Sequence, residues 1–136
     1  TKRHIDIYRE ELDRNGHPPP DDIVLLREFF CANSRTEALE KASAGFQRKY
    51  EVYGAHGFQG SNDELADIVT GDIETQTDSA FVIGSPQDCM EELARYRDLG
   101  VTQVAMRLYY PGMSQKETQE HIELVGREVL PELHRW

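Results

Sequence analysis

The stretch Ile23-Val-Leu-Leu-Arg-Glu-Phe-Phe-Cys31, followed by Ala32-Asn33-Ser34 and the periodic run Ala38, Leu39, Ala42, Phe46 and Tyr50, decides the fold. Apart from Arg27 and Glu28 it is apolar on both parities. That excludes a strand with one solvated face and predicts a strand covered on both. Asn33 and Ser34 end it. Ser34 and Glu37 have the spacing of a capping box, so a helix starts at once and points Ala38, Leu39, Ala42, Phe46 and Tyr50 towards a core. A strand that passes directly into a helix is the repeating unit of parallel β/α architecture.

The unit recurs downstream. Phe81-Val-Ile-Gly84 reads as a short extended piece, and Ser85-Pro86-Gln87-Asp88 supplies an N-cap, an N1 proline and a first-turn carboxylate. Free backbone N–H groups at Gly84-Ser85-Pro86 could also cradle a phosphate, but ordinary capping is the favoured reading. The helix carries Met90, Leu93, Tyr96 and Leu99 and stops at Gly100. Val101 to Tyr110 is a second strand, turned by Pro111-Gly112. Ser114 with Glu117 opens a last helix through Ile122, Val125 and Val129, which Pro131 closes. Upstream, Ile5, Tyr8 and Leu12 mark a helix that Gly16 stops, and Pro18, Pro19 and Pro20 make a stiff extended connection.

Residues 54–79 break the pattern. Glycines 54, 57, 60 and 71 are mixed there with polar residues, with one short helix expected near Glu64 to Val69. A stretch this long is expected to be an irregular insertion or a lid. The fold class that follows is α/β, with 1–136 as a single domain. Its two full-length parallel strands and one short piece leave sheet edges bare, which predicts a homo-oligomer or a larger parent sheet.

The 136 residues carry 15 Lys and Arg against 25 Asp and Glu, a net charge of −10. Such an acidic chain is a poor partner for nucleic acid or an anionic membrane. No run approaches the ~20 apolar residues of a membrane span, and no signal peptide is apparent, so a soluble cytoplasmic protein is expected. Cys31 and Cys89 stand 58 positions apart in apolar segments. They match no metal or redox spacing and read as core thiols in a reducing compartment, ahead of a disulfide.

The chain contains no HExxH, P-loop, GxGxxG or GxSxG signature. His4, His17, His56, His121 and His134 lack metal-ligand spacing, and His121 reads as a solvated or satisfied side chain. No metal is expected. The second strand is more informative. Val104, Met106 and Leu108 share one parity, and Ala105, Arg107 and Tyr109 share the other. If the apolar set faces the helices, Arg107 and Tyr109 face the opposite side near the strand's C-terminal end, where α/β active sites gather. The first strand offers Arg27 or Glu28 in the same way. An ion pair between neighbouring strands is the competing reading of Arg27 or Arg107.

Several segments together resemble the C-terminal end of luciferase-like monooxygenases. They are Phe81-Val-Ile-Gly-Ser-Pro-Gln-Asp88, Arg95-Tyr-Arg-Asp-Leu-Gly-Val101, Met106-Arg-Leu-Tyr-Tyr-Pro-Gly-Met113 and Ile122-Glu-Leu-Val-Gly-Arg-Glu-Val-Leu-Pro131. Leu25-Leu-Arg-Glu-Phe-Phe-Cys-Ala32 with Thr36-Glu-Ala-Leu39 resembles that family's penultimate strand and helix. The resemblance implies a partial TIM-like (β/α)8 barrel, with this chain supplying the last two β/α units as a C-terminal fragment and 54–79 as part of the active-site lid. It also implies FMN or the deazaflavin F420 as cofactor, a small-molecule substrate, and oxygenation or hydride transfer. Most flavin contacts and the catalytic residues would lie on earlier strands, so the fragment alone is expected to be inactive and need not bind flavin itself. Cys31, Ala32, Arg107 and Tyr109 are the residues that the resemblance brings near flavin or substrate. A non-enzymatic, self-associating α/β module is the rival expectation.

Overall fold

A computed structural model describes residues 1–55 and 81–136. In chain order the elements are α1 (Lys2–Arg14), β1 (Val24–Cys31), α2 (Arg35–Ala55), β2 (Phe81–Gly84), α3 (Pro86–Asp98), β3 (Gln103–Arg107), α4 (Gln115–Glu128) and the single turn α5 (Leu130–Leu133). The three strands form one parallel sheet in the order β2-β1-β3. β1 and β3 therefore pair directly, with Glu28 opposite Arg107, and β2 lies along the outer, C-terminal half of β1, with Cys31 opposite Gly84.

Local chemistry explains the helix starts. Ser85 and Ser114 each accept from the amide three residues on, and Asp88 and Glu117 return the bond to the cap N–H. At Ser34 the same design is shifted by one residue. The hydroxyl accepts from Glu37 N–H, but the Glu37 carboxylate reaches the Asn33 N–H instead. Gly100 adopts φ +85° just past the α3 C-cap, a conformation that costs glycine nothing. Pro131 lies in the first turn of the one-turn α5 and does not terminate helical structure, because a first-turn proline needs no N–H partner.

Two apolar clusters sandwich the sheet. On one face Phe29, Cys31 and Val82 pack with Ile5, Cys89, Leu93, Tyr96, Val125 and Val129 from α1, α3 and the α4 region, and Val104, Met106 and Leu108 join them as their parity predicts. On the other face Phe30, Phe81 and Ile83 meet Ala38, Ala42 and Phe46 of α2, with Tyr110 closing the cluster. The expectation that all of β1 is covered on both faces holds only for its C-terminal half. Val24 and Leu26 are 61% and 56% exposed, because α2 covers that face of the strand only at its C-terminal end, while Ile23 and Leu25 on the other face pack against the core. Ile122 is also exposed. The buried stripe of α4 runs through His121, Val125 and Val129, so Val125 and Val129 lie where expected and His121 takes the place of Ile122. Tyr8 is exposed where Ile5 is buried. The expected insertion begins inside α2, which continues to Ala55. The rest of that stretch, with the expected helix at 64–69, lies outside the described residues. No helix among the described residues is long and apolar enough to cross a membrane.

Candidate functional site

The strand pairing that sets Glu28 opposite Arg107 also joins their side chains. Arg107 Nη1 donates to Glu28 Oε1 at 2.9 Å, and Lys49 of α2 donates to the same oxygen. The Lys49 and Glu28 side chains are nearly buried, whereas Arg107 is 37% exposed. Glu28 Oε2 is buried and has no hydrogen-bond partner among the described residues. A buried acceptor without a donor is costly, by ~1–3 kcal/mol. Beside a partly exposed guanidinium, such an acceptor suits a ligand that offers both an N–H and an oxygen.

Tyr110 locks this corner. Its hydroxyl donates to the Arg107 carbonyl (2.7 Å) and accepts from the Phe29 amide (2.8 Å), so it ties the chain just after β3 to the middle of β1. Its ring packs edge-on to Phe46 at 4.4 Å, and burial pushes its phenol well above the usual range. Arg27, the other basic residue weighed on β1, faces the opposite side. It donates to Tyr96 Oη and Thr1 Oγ1 and lies over the Tyr96 ring, which is a packing role.

A cleft of about 520 Å³ opens at the C-terminal end of β1, between α2 and α4. Cys31 and Ala32 lie in its wall with Phe30 and His121, while Lys41, Arg48 and Arg127 alternate with Glu37, Glu117 and Glu120 around it. His121 is buried and satisfied. Nε2 accepts from the Cys31 amide at 2.9 Å, so the proton sits on Nδ1, which donates to the Leu108 carbonyl at 3.0 Å. Desolvation holds its pKa below the ordinary histidine value. No cluster of three metal-ligating side chains exists among the described residues.

The four residues singled out from sequence thus divide. Cys31 and Ala32 border the cleft. Arg107 lies on the sheet's other open area beside Glu28, in the ion pair weighed as its structural alternative, and Tyr109 is 58% exposed beyond the end of β3. Sequence reasoning missed Tyr110 and Lys49. The signal for Lys49 was its position three residues after Phe46 on one helix face, whereas nothing local distinguished Tyr110 from Tyr109. His121, read as solvated or satisfied, could have been placed by its four-residue spacing to Val125.

Parallel strands alternating with helices, and a polar cluster near the strands' C-terminal ends, define a β/α protein of the barrel-forming class. The luciferase-like monooxygenase family model matches residues 1–103, and the chain belongs to that family. It is 26% identical to 3,6-diketocamphane 1,6-monooxygenase of Pseudomonas putida over 97% of its own length, and spans 38% of that relative. Among solved structures, a monooxygenase of Streptomyces bottropensis superposes on 97% of the chain with a TM-score of 0.67 at 19% identity, and the chain covers 37% of it. The oxygenating component of the Pseudomonas putida diketocamphane monooxygenase, a type II Baeyer–Villiger enzyme in complex with FMN, gives 0.62 at 24% over 96% of the chain and 39% of the relative. The coenzyme F420-dependent tetrahydromethanopterin reductase of Methanopyrus kandleri gives 0.60 at 19%, over 96% and 41%. These structural likenesses are likenesses of fold.

The described residues fit one part of a flavin and not another. The helix starts at Ser85 and Ser114 are closed by their own carboxylates, Asp88 and Glu117, and the α2 start is flanked by Glu37, so none of the three fits a phosphate. The phosphate-cradle reading of Gly84-Ser85-Pro86 therefore gives way to capping. The donor and acceptor of Arg107 and Glu28 fit the polar edge of a flavin ring, which carries carbonyl oxygens and an N–H.

Proposed function

We propose that the chain supplies the last two β/α units of a flavin-dependent monooxygenase barrel acting on a small organic substrate, with FMN or F420 as cofactor. The observation that carries this reading is the direct parallel pairing of β1 with β3 in a chain of this family. When bound, the flavin supplies the oxygen- or hydride-transfer chemistry, and the protein binds, orients and excludes water. Glu28 Oε2 accepts from a ring or substrate N–H, and Arg107 donates to a neighbouring oxygen. Lys49 holds the Glu28 carboxylate in place from α2, and Tyr110 fixes the separation of the two strands that carry the pair. Val24, Leu26 and Ala105 present the open inner surface of the sheet, and Tyr109 stands at its mouth. Cys31 and Ala32 form the end of β1 and border the separate cleft between α2 and α4.

Substitution tests the assignment. In the enzyme containing these residues, Arg107→Lys replaces a planar fork by a point charge. Weaker flavin or substrate binding by fluorescence titration, with the melting temperature unchanged, supports the role. A lower melting temperature with both affinities intact makes the Glu28–Arg107 pair purely structural and removes Arg107 from the site. A second reading, self-association through the sheet, is favoured by the exposed Val24 and Leu26. Sedimentation of a flavin-free dimer that loses its association on Leu26→Asp would support it.

A further inference from the structure

We propose that Cys31 and Cys89 form a proximal dithiol site that hydroperoxide converts into a reversible intramolecular disulfide. The fold brings together two thiols that are 58 positions apart in the chain. Cys31 is the last residue of β1, paired with Gly84, and Cys89 lies in the first turn of α3, immediately beyond the Ser85–Asp88 cap. The Cys89 sulfur sits 3.8 Å from the Gly84 carbonyl oxygen and 4.0 Å from that of Phe30, against the peptide that leads into Cys31. Both side chains belong to the same apolar cluster and are free thiols. The interaction of the two groups holds the Cys31 thiol below its usual range, while it and burial push Cys89 up.

Access distinguishes the partners. Cys31 lines the cleft between α2 and α4, whereas Cys89 is fully enclosed behind it. The Cys31 thiolate attacks a peroxide oxygen and the O–O bond breaks. The leaving hydroxide takes up a proton to become water, which leaves Cys31–SOH. The Cys89 sulfur then attacks the Cys31 sulfur, its own proton passing to the departing hydroxide, and a second water leaves as the S–S bond forms. Two thiols and one hydrogen peroxide give one disulfide and two waters. The product staples the end of β1 to the start of α3. This inference stands on the thiol geometry and is independent of the flavin reading.

The test uses the reduced, purified full chain in native buffer. After hydrogen peroxide treatment and alkylation under denaturing conditions, the expected product has lost two hydrogens and takes up no alkylating agent. It yields one cross-linked peptide joining Cys31 and Cys89, and dithiothreitol restores both thiols. Phenylarsine oxide, which bridges only adjacent thiols, binds the untreated chain one to one and fails to bind Cys31→Ser or Cys89→Ser. In Cys89→Ser the oxidised Cys31 stops at the sulfenic acid and is captured by dimedone. Full alkylation of both cysteines after peroxide, sulfinate on Cys31 with Cys89 still free, or disulfides between chains would overturn the proposal. Because the peptide map and arsenical stoichiometry come from the unsubstituted chain, they decide the matter even where a serine variant fails to fold.

Discussion

Replacing His121 by Phe tests whether a neutral imidazole is part of the structural frame. The wild-type ring stacks on Phe30 with centroids 4.5 Å apart at 22°, and each nitrogen serves one backbone group, the Cys31 amide and the Leu108 carbonyl. Phenylalanine keeps the stacked ring and orphans both groups. At ~1–3 kcal/mol for each buried unsatisfied group, partly relieved by relaxation at the cleft, the loss should be about 2–4 kcal/mol at neutral pH. The pH dependence carries the sharper signature. Desolvation, opposed by the Leu108 bond and reinforced by the Lys41 charge, depresses the folded pKa. Above the unfolded value of about 6.5 both states are neutral and His121 adds no slope. As the pH falls below that value, the unfolded chain takes up a proton that the folded chain refuses. Its stabilising contribution is then lost, at up to ~1.4 kcal/mol per pH unit, until the folded pKa is passed and the loss levels off. Urea unfolding of wild type and His121→Phe, measured from about pH 8 to about pH 5, reads both effects. Equal stability at neutral pH, or the same acid slope in the two proteins, would refute the assignment of His121 as a neutral two-bond bridge.

Tyr110→Phe should cost about 1–3 kcal/mol, because it orphans the Phe29 amide while the ring still fills its place among Phe30, Phe46 and Phe81; chemical denaturation checks this, and a neutral result would contradict the strand-locking role. Gly45→Ala places a Cβ 2.8 Å from Tyr110 Cβ, so α2 must move off the 110–111 segment. A loss of about 1–3 kcal/mol is expected by thermal melting, although alanine would otherwise stabilise a helix.

What sequence alone determined here is what short-range bonding determines. The Ser85–Asp88 and Ser114–Glu117 boxes close within three residues, so their spacing suffices to place the starts of α3 and α4. The alternation along β3 likewise separates Val104 and Met106 from Arg107, because strand parity is a property of the backbone. Glu28 could be named as a partner of Arg107 once two parallel strands were supposed. Only the tertiary structure decided the rest. That β2 lies outside β1, leaving β1 beside β3, depends on strand order, which local pattern does not encode. Val24 and Leu26 look as apolar as Phe29 and Phe30, and their exposure follows from where α2 happens to end its coverage. The Tyr110–Phe29 and His121–Cys31 bonds join residues 81 and 90 positions apart, and the Cys31–Cys89 neighbourhood spans 58. Contacts of that range arise only when separate elements pack, so single residues such as His121 and Cys89 carry a role that neither their type nor their local sequence reveals.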